Sequence, residues 1–307
     1  MSRRTRTTAY LLATIAVAGS LTACGGGDPL DSGSEAGGDT IVVGSANFPE
    51  SELLMQMYAQ ALEGEGVEVK TKPNIGSREV YMEAFKSGDI DLLPEYNGAL
   101  LAYLKPDGVP ESVSAPEDVY EALQEVLPDG TETLPQSEAE DKDTLTVSKE
   151  TATKHSLKSI EDLAPVAEEL TLGAGPEFKE RYQGMVGLEK VYGVTFKEFK
   201  PLDSGGPLTT AALKKGDVDV ANVFSTDSAI PTNGWVVLED PKNVFLSQNV
   251  VPLIRSEALT DDAENALNAV SEALTTENLA EALAKVQVDK ADPATVAKEF
   301  LTDNGVS

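Results

Sequence analysis

One stretch of this chain is written twice, and the second copy limits what the chain can fold into. Residues 86–99 read Lys-Ser-Gly-Asp-Ile-Asp-Leu-Leu-Pro-Glu-Tyr-Asn-Gly-Ala; residues 214–228 read Lys-Lys-Gly-Asp-Val-Asp-Val-Ala-Asn-Val-Phe-Ser-Thr-Asp-Ser. At a constant offset Ala84, Lys86, Gly88, Asp89 and Asp91 recur as Ala212, Lys214, Gly216, Asp217 and Asp219, and Tyr96 recurs as Phe224. Each copy predicts the same unit. A glycine-containing turn (Gly76-Ser77, or Ser204-Gly205-Gly206) opens an apolar helix, a C-cap glycine stops it, and Asp-apolar-Asp-apolar starts a short buried strand. The aromatic follows at the strand's carboxyl end, the edge at which open α/β sheets bind ligands. Two such edges predict two α/β lobes facing a cleft.

The chain between and around the copies fits this plan. Apolar runs at 41–44, 67–71, 145–147, 170–173, 195–199 and 250–254 have strand length, and each of the first five leads towards a helix. Leu53, Leu54, Met57, Tyr58, Ala61 and Leu62 lie on one helical face. Ser114-Ala115-Pro116-Glu117 has capping-box spacing ahead of Val119, Tyr120, Leu123 and Val126. Gly175-Pro176-Glu177 opens a further helix, and Asp292-Pro293 starts the last one. The charged stretch 138–143 is a first crossing between lobes, and 250–254 returns the chain to the first lobe. The organisation is therefore 40–143 as the first part of lobe 1, 144–247 as lobe 2, and 248–307 as the return to lobe 1.

The amino terminus is an export signal. Arg3, Arg4 and Arg6 precede an apolar run at 10–17 and a small-residue exit, over residues 1–23. That run is too short to span a bilayer. Leu21-Thr22-Ala23-Cys24 has the form of a lipobox, which makes Cys24 the lipidated first residue of the mature chain. Residues 24–39, rich in Gly, Ser, Asp and Glu, are a flexible tether.

Composition then removes functions. Cys24 is the single cysteine and His155 the single histidine. No intrachain disulfide can form, and no cysteine nucleophile remains once Cys24 is acylated. A zinc site lacks ligands, and a Ser-His-Asp triad would have to use His155, which sits in the polar run Lys154-His155-Ser156. The pairs Asp89/Asp91 and Asp217/Asp219 read as strand-opening turns with side chains facing water, since they lack the glycine and distal glutamate of a calcium loop. No metal, cofactor or catalytic residue is expected. A net charge of −28, more acidic still once the signal's arginines are removed, disfavours nucleic acid and anionic lipid as partners.

Polar and aromatic groups recur at the predicted cleft edge: Ser45, Asn47 and Phe48; Gly76, Ser77 and Arg78; Tyr96 and Asn97; Phe224, Ser225, Thr226 and Asp227. Donors at helix N-termini such as Gly76-Ser77 suit an anionic group. Aromatic faces such as Tyr96 suit a quaternary ammonium through cation–π attraction.

Residues 41–50 (Ile-Val-Val-Gly-Ser-Ala-Asn-Phe-Pro-Glu), Gly76-Ser-Arg-Glu79, 88–98, Gly175-Pro-Glu-Phe178, Ser225-Thr-Asp227 and Val236-Val-Leu-Glu-Asp240 resemble the substrate-binding proteins of glycine betaine/carnitine/choline (osmoprotectant) ABC importers. The resemblance implies a periplasmic-binding-protein fold of type II. It also implies a monomeric, lipid-anchored receptor on the extracytoplasmic face of the membrane, which closes over a small solute and delivers it to a permease with ATPase subunits. The family binds betaine in a cage of tyrosines. Tyr96 matches the first cage position, while Phe224 keeps the second ring without its hydroxyl. Gln248 stands where a tyrosine is usual, Thr144 and Leu145 supply no ring, and Ala46 replaces a common lysine. Arg181 is the candidate for a ligand carboxylate, and Glu83 is expected to point into the cleft. The expected ligand contacts are thus Asn47, Phe48, Ser77, Glu83, Tyr96, Asn97, Arg181, Phe224, Thr226, Asp227 and Gln248. The alternatives are a different small polar or aromatic solute, or a sensory lipoprotein without a permease.

Overall fold

The computed structural model describes residues 40–110 and 113–306; the export signal, tether and Cys24 lie outside them. In chain order the elements are β1 (Thr40–Gly44), α1 (Pro49–Gly64), β2 (Glu68–Lys72), α2 (Arg78–Ser87), β3 (Leu92–Tyr96), α3 (Asn97–Leu104), α4 (Pro116–Gln124) and β4 (Thr131–Thr133). Then come β5 (Asp143–Val147), α5 (Lys149–His155), β6 (Thr171–Ala174), β7 (Glu198–Pro201), α6 (Pro207–Lys215), β8 (Val220–Phe224), α7 (Ala229–Asn233) and β9 (Val236–Val237). The chain ends with β10 (Val250–Arg255), α8 (Asp261–Ala273), α9 (Thr276–Gln287) and α10 (Pro293–Asp303).

Two five-stranded sheets result, ordered β2-β1-β3-β10-β4 and β7-β6-β8-β5-β9. In each sheet the first three strands are parallel and the fourth is antiparallel to the third. The fourth strand is the one the chain lays down just after it crosses over, β5 after the first crossing and β10 after the second. Each lobe is therefore completed by a strand threaded in from the other, as in a two-lobed type II binding-protein fold. The crossings run side by side: Asp141 N–H donates to the Gln248 carbonyl (3.1 Å) and Val250 N–H to the Ala139 carbonyl (3.0 Å). Gly98 lies against them so closely that a Cβ there would come within 2.2 Å of the Ser247 carbonyl oxygen.

The inner strands of each sheet are buried on both faces, because helices pack above and below them. In lobe 1, Leu53, Leu54, Met57 and Leu62 of α1 join Ile41, Val43 and residues of α8, α9 and α10 on one side. Tyr81, Met82 and Phe85 of α2 pack with Leu93, Leu100 and Val119 on the other. Lobe 2 repeats the arrangement with Leu145, Leu172 and Val220 on one face and Leu213, Val218 and Val223 on the other.

The repeated stretch folds the same way in both lobes up to its aromatic; beyond it Asn97 starts α3, whereas Ser225 enters a turn ahead of α7. α2 ends at Gly88 (φ +82) and α6 at Gly216 (φ +74), left-handed C-caps that glycine takes without steric cost. Asp89 N–H then reaches back to the Ala84 carbonyl, and Asp217 N–H to that of Ala212, each at 2.9 Å. The second aspartate of each copy corrects the sequence expectation. Asp91 Oδ2 accepts from Val42 N–H, and Asp219 Oδ2 from Thr171 N–H, each at 2.9 Å. Asp91 N–H and Asp219 N–H return bonds to the carbonyls of the same two residues. These side chains do not face water; they pin the neighbouring strand in register, while Asp89 and Asp217 are exposed.

Two helix expectations also change. The N-cap of α4 is Ala115, with no side-chain cap bond, so Ser114 forms no capping box. After a short 3-10 turn at Pro176–Lys179, the segment 182–192 is irregular, with non-helical backbone at Gln183 and Gly184. A Cβ at Gly184 would meet the Phe178 carbonyl oxygen at 2.1 Å, and one at Gly187 that of Tyr182 at 2.1 Å, so only glycine permits the tight folding there.

Asp91→Ala and Asp219→Ala should each lower stability by about 1.5–3 kcal/mol, the usual worth of a hydrogen bond to a charged group. Asp89→Ala and Asp217→Ala should stay within about 0.5 kcal/mol of the parent. Urea denaturation of the four variants separates the roles; equal losses within each pair would remove the distinction.

Candidate functional site

Three aromatic rings converge at the carboxyl ends of the central strands. Phe48 follows β1 and is the N-cap of α1, Tyr96 ends β3, and Phe224 ends β8. The Phe48 centroid lies 6.1 Å from that of Tyr96 and 5.1 Å from that of Phe224, which comes from the opposite lobe. Tyr81 and Phe178 add further aromatic surface to a cleft of about 540 Å3, including its mouth.

Of the residues expected from sequence, Asn47, Phe48, Ser77, Tyr96, Arg181, Phe224 and Gln248 line this cleft. Four do not. Glu83 is exposed on α2 and pairs with Lys86 (3.0 Å), because its helical position turns it away from the sheet edge. Asn97 is fully buried in the hinge: its Oδ1 accepts from Asn249 N–H and Gly98 N–H, and its Nδ2 donates to Gln136. Thr226 and Asp227 lie behind the rings, where both side chains are used to hold lobe 2 against lobe 1. Thr226 Oγ1 donates to Glu50 (2.6 Å), and Asp227 accepts from Gln287 Nε2 (3.1 Å).

Glu50 is the centre of that support. It sits in the first turn of α1, where the helix dipole favours a carboxylate, and accepts from Tyr96 Oη (2.7 Å) as well as from Thr226. Asp141, from the first crossing, accepts from Thr226 N–H (3.1 Å) and Ser225 Oγ (3.3 Å) and is hydrogen-bonded to Glu50. Burial pushes both carboxyls up, Asp141 well above the usual carboxylate range; the charge of Glu50 adds to the effect on Asp141, and that of Asp227 adds to the effect on Glu50. Two adjacent buried carboxyls cannot both ionise cheaply, so the pair retains a proton.

The cleft also holds ion pairs and a carboxylate that the sequence did not show. Arg78 Nε and Nη2 donate to both oxygens of the fully buried Glu95 (3.0 and 2.9 Å), and Tyr81 Oη donates to the same carboxylate at 2.7 Å. The Pro-Glu-Tyr motif thus offers its tyrosine to the cleft and uses its glutamate to lock an arginine. Arg181 reaches from lobe 2 to Glu79 of lobe 1, Nε to Oε1 at 2.9 Å and Nη2 to Oε2 at 3.0 Å. Partial burial by itself would raise the Glu79 carboxyl, but Arg181 and the Ser77 hydroxyl outweigh it and lower it to about 2. Asp143, at the start of β5, accepts from Asn222 Nδ2 (2.9 Å) and Gln248 Nε2 (3.0 Å) and faces the same space. Arg78 was already expected at the cleft edge from Gly-Ser-Arg-Glu; Asp141 and Asp143 were visible in the charged crossing, where nothing local marked them as lining a cleft. His155 closes α5 and does not line it.

A family model, the substrate binding domain of the ABC-type glycine betaine transport system (OpuAC), matches residues 39–303. The chain belongs to that family. Among its relatives, the carnitine transport binding protein OpuCC of Listeria monocytogenes is 29% identical over 276 residues, 87% of each chain. The glycine betaine-binding protein YehZ of Escherichia coli is 27% identical, over 86% of this chain and 90% of that one. A crystal structure of a glycine betaine/carnitine/choline ABC transporter protein superposes with a TM-score of 0.67 at 24% identity, covering 87% of this chain and 99% of that one, a likeness of fold. The family is one of transporter substrate-binding domains, and its members are binding components of importers.

The raised Glu50/Asp141 pair sets a pH dependence. The folded chain keeps a proton that the unfolded chain releases, so this stabilisation is complete below the ordinary carboxylate range and is lost as pH rises through the folded values. Asp141→Asn carries a permanent N–H donor towards Glu50. It should flatten the decline of melting temperature as pH rises above the ordinary carboxylate range and melt above the parent at the upper end. A decline as steep as the parent's would show that the pair does not hold the proton.

Proposed function

We propose that this protein is the extracytoplasmic solute-binding component of an ABC importer for osmoprotectants of the glycine betaine/choline/carnitine type. The observation that carries the reading is the three-ring wall of Phe48, Tyr96 and Phe224, drawn from both lobes around one cleft. Aromatic faces attract a quaternary ammonium that cannot donate hydrogen bonds, each ring contributing about 0.5–2 kcal/mol. Phe48 supplies a ring beyond the two at the expected cage positions, and neither phenylalanine needs a hydroxyl for this attraction. Carboxylates around the rings give the cleft a potential that suits a cation.

In this reading residues 1–23 are the export signal and 24–39 a tether from a lipid on Cys24. Residues 40–143 and 248–307 make one lobe, residues 144–247 make the other, and the protein acts as a monomer. Its partners are the small solute and a permease with ATPase subunits. No helix among the described residues is long and apolar enough to cross a membrane, in keeping with attachment through a lipid. The family's role as a transporter substrate-binding domain favours a receptor over an enzyme.

The test is a thermal-shift screen of the purified protein against choline, glycine betaine, carnitine and proline betaine, with unrelated small solutes alongside. A ligand at 100 times its dissociation constant stabilises the bound form by ~2.7 kcal/mol. Phe48→Ala and Phe224→Ala should abolish the shift while the ligand-free protein stays folded. A shift only with an uncharged or anionic solute would overturn the ligand class, and a shift that survives both variants would overturn the site.

A further inference from the structure

Both guanidiniums in the cleft wall are already occupied by carboxylates of this chain. Arg78 is held on two bonds by buried Glu95, and Arg181 on two bonds by Glu79. The cleft carboxylates are not matched in the same way. Asp143 is held by two neutral amides, and neither Asp143 nor Glu177 has an ion-pair partner among the described residues. The wall therefore presents uncompensated negative charge and no uncompensated positive charge.

The two arginine pairs differ in how they could yield to a ligand. Arg78–Glu95 is buried and further tied by Tyr81 Oη and Tyr96 N–H, so breaking it would strand a charge in the core. Arg181–Glu79 joins the lobes at the rim, with side chains 28% and 45% exposed, and could exchange partners. A ligand carboxylate seeking Arg181 must displace Glu79, whose two oxygens match the planar guanidinium as well as any ligand could.

We propose that Glu79 is a specificity-determining residue. By occupying Arg181 it stands in for a ligand carboxylate, and the cleft selects quaternary ammonium solutes without a carboxylate over those that carry one. This rests on the function proposed above and adds the polarity of the ligand's second end. A cationic alcohol such as choline leaves the Arg181–Glu79 bridge intact and gains from Asp143, whereas a zwitterion must break the bridge or sit beside Asp143.

Calorimetric titration of the purified protein with choline, glycine betaine and carnitine tests the idea. The parent should bind choline at least about tenfold more tightly than glycine betaine. Glu79→Gln, at an exposed position whose loss costs no core contact, should improve glycine betaine and carnitine binding by about tenfold without improving that of choline. The gain should vanish in Glu79→Gln combined with Arg181→Gln, because the freed guanidinium is its source. The proposal is overturned by a parent that prefers glycine betaine, by an unchanged ratio in Glu79→Gln, or by a gain that survives loss of Arg181. Binding of none of the three solutes would refute the proposed function, and this inference with it.

Discussion

The two halves of this protein meet on one buried carboxyl. Glu50 accepts the hydroxyl of Tyr96 from lobe 1 on one oxygen and the hydroxyl of Thr226 from lobe 2 on the other. Burial makes these bonds obligatory, since a carboxyl out of water needs every partner it can find. The result fixes both loops that carry the cage rings, because Tyr96 is itself a ring and Thr226 lies two residues beyond Phe224. Asp141 adds the hinge to the same cluster. Ring placement, hinge and lobe contact are therefore one hydrogen-bonded unit behind the cleft.

In front of that unit, the electrostatics follow from which charges are satisfied by the chain itself. The two arginines are neutralised by Glu95 and Glu79, at different depths and so with different freedom to exchange. The deep pair is an anchor: it orients α2 against β3 and leaves Arg78 as a wall. The rim pair is a contact between lobes and is part-exposed. A chain with this excess of acid can leave several carboxylates around a cleft without cationic partners, and here that surplus gives the site its sign.

Much of the fold could be read from the repeated stretch, and the reason is local. A left-handed glycine cap, an apolar helical face and an Asp-apolar-Asp strand start are determined within some ten residues, so both copies and their terminal aromatics were legible. The irregular segment at 182–192 was not, because Gly184 and Gly187 take their roles from carbonyls packed against them in the folded chain. The second aspartate of each pair was misread for the same reason. Asp91 and Asp219 face the backbone of a strand nearly fifty residues earlier in the chain, and no local pattern distinguishes that from a solvated turn.

For the site, the sequence by itself determined the types of group at the sheet edges: aromatics, amides and an arginine, with one histidine and one cysteine too few for most enzyme chemistry. Only the tertiary structure decided which of them share the cleft. It turned Glu83 outward, took Asn97 into the hinge, and placed Thr226 and Asp227 behind the rings. It also brought Asp143 and Glu79 into the argument and set Phe48 between the other two rings. The physical reason is that side-chain direction at a strand end, and the partner that neutralises a charge, depend on the opposite lobe. The repeated stretch fixes each wall of the cleft, but the meeting of the walls, Phe48 on Phe224 and Arg181 on Glu79, exists only when the chain has crossed over and returned.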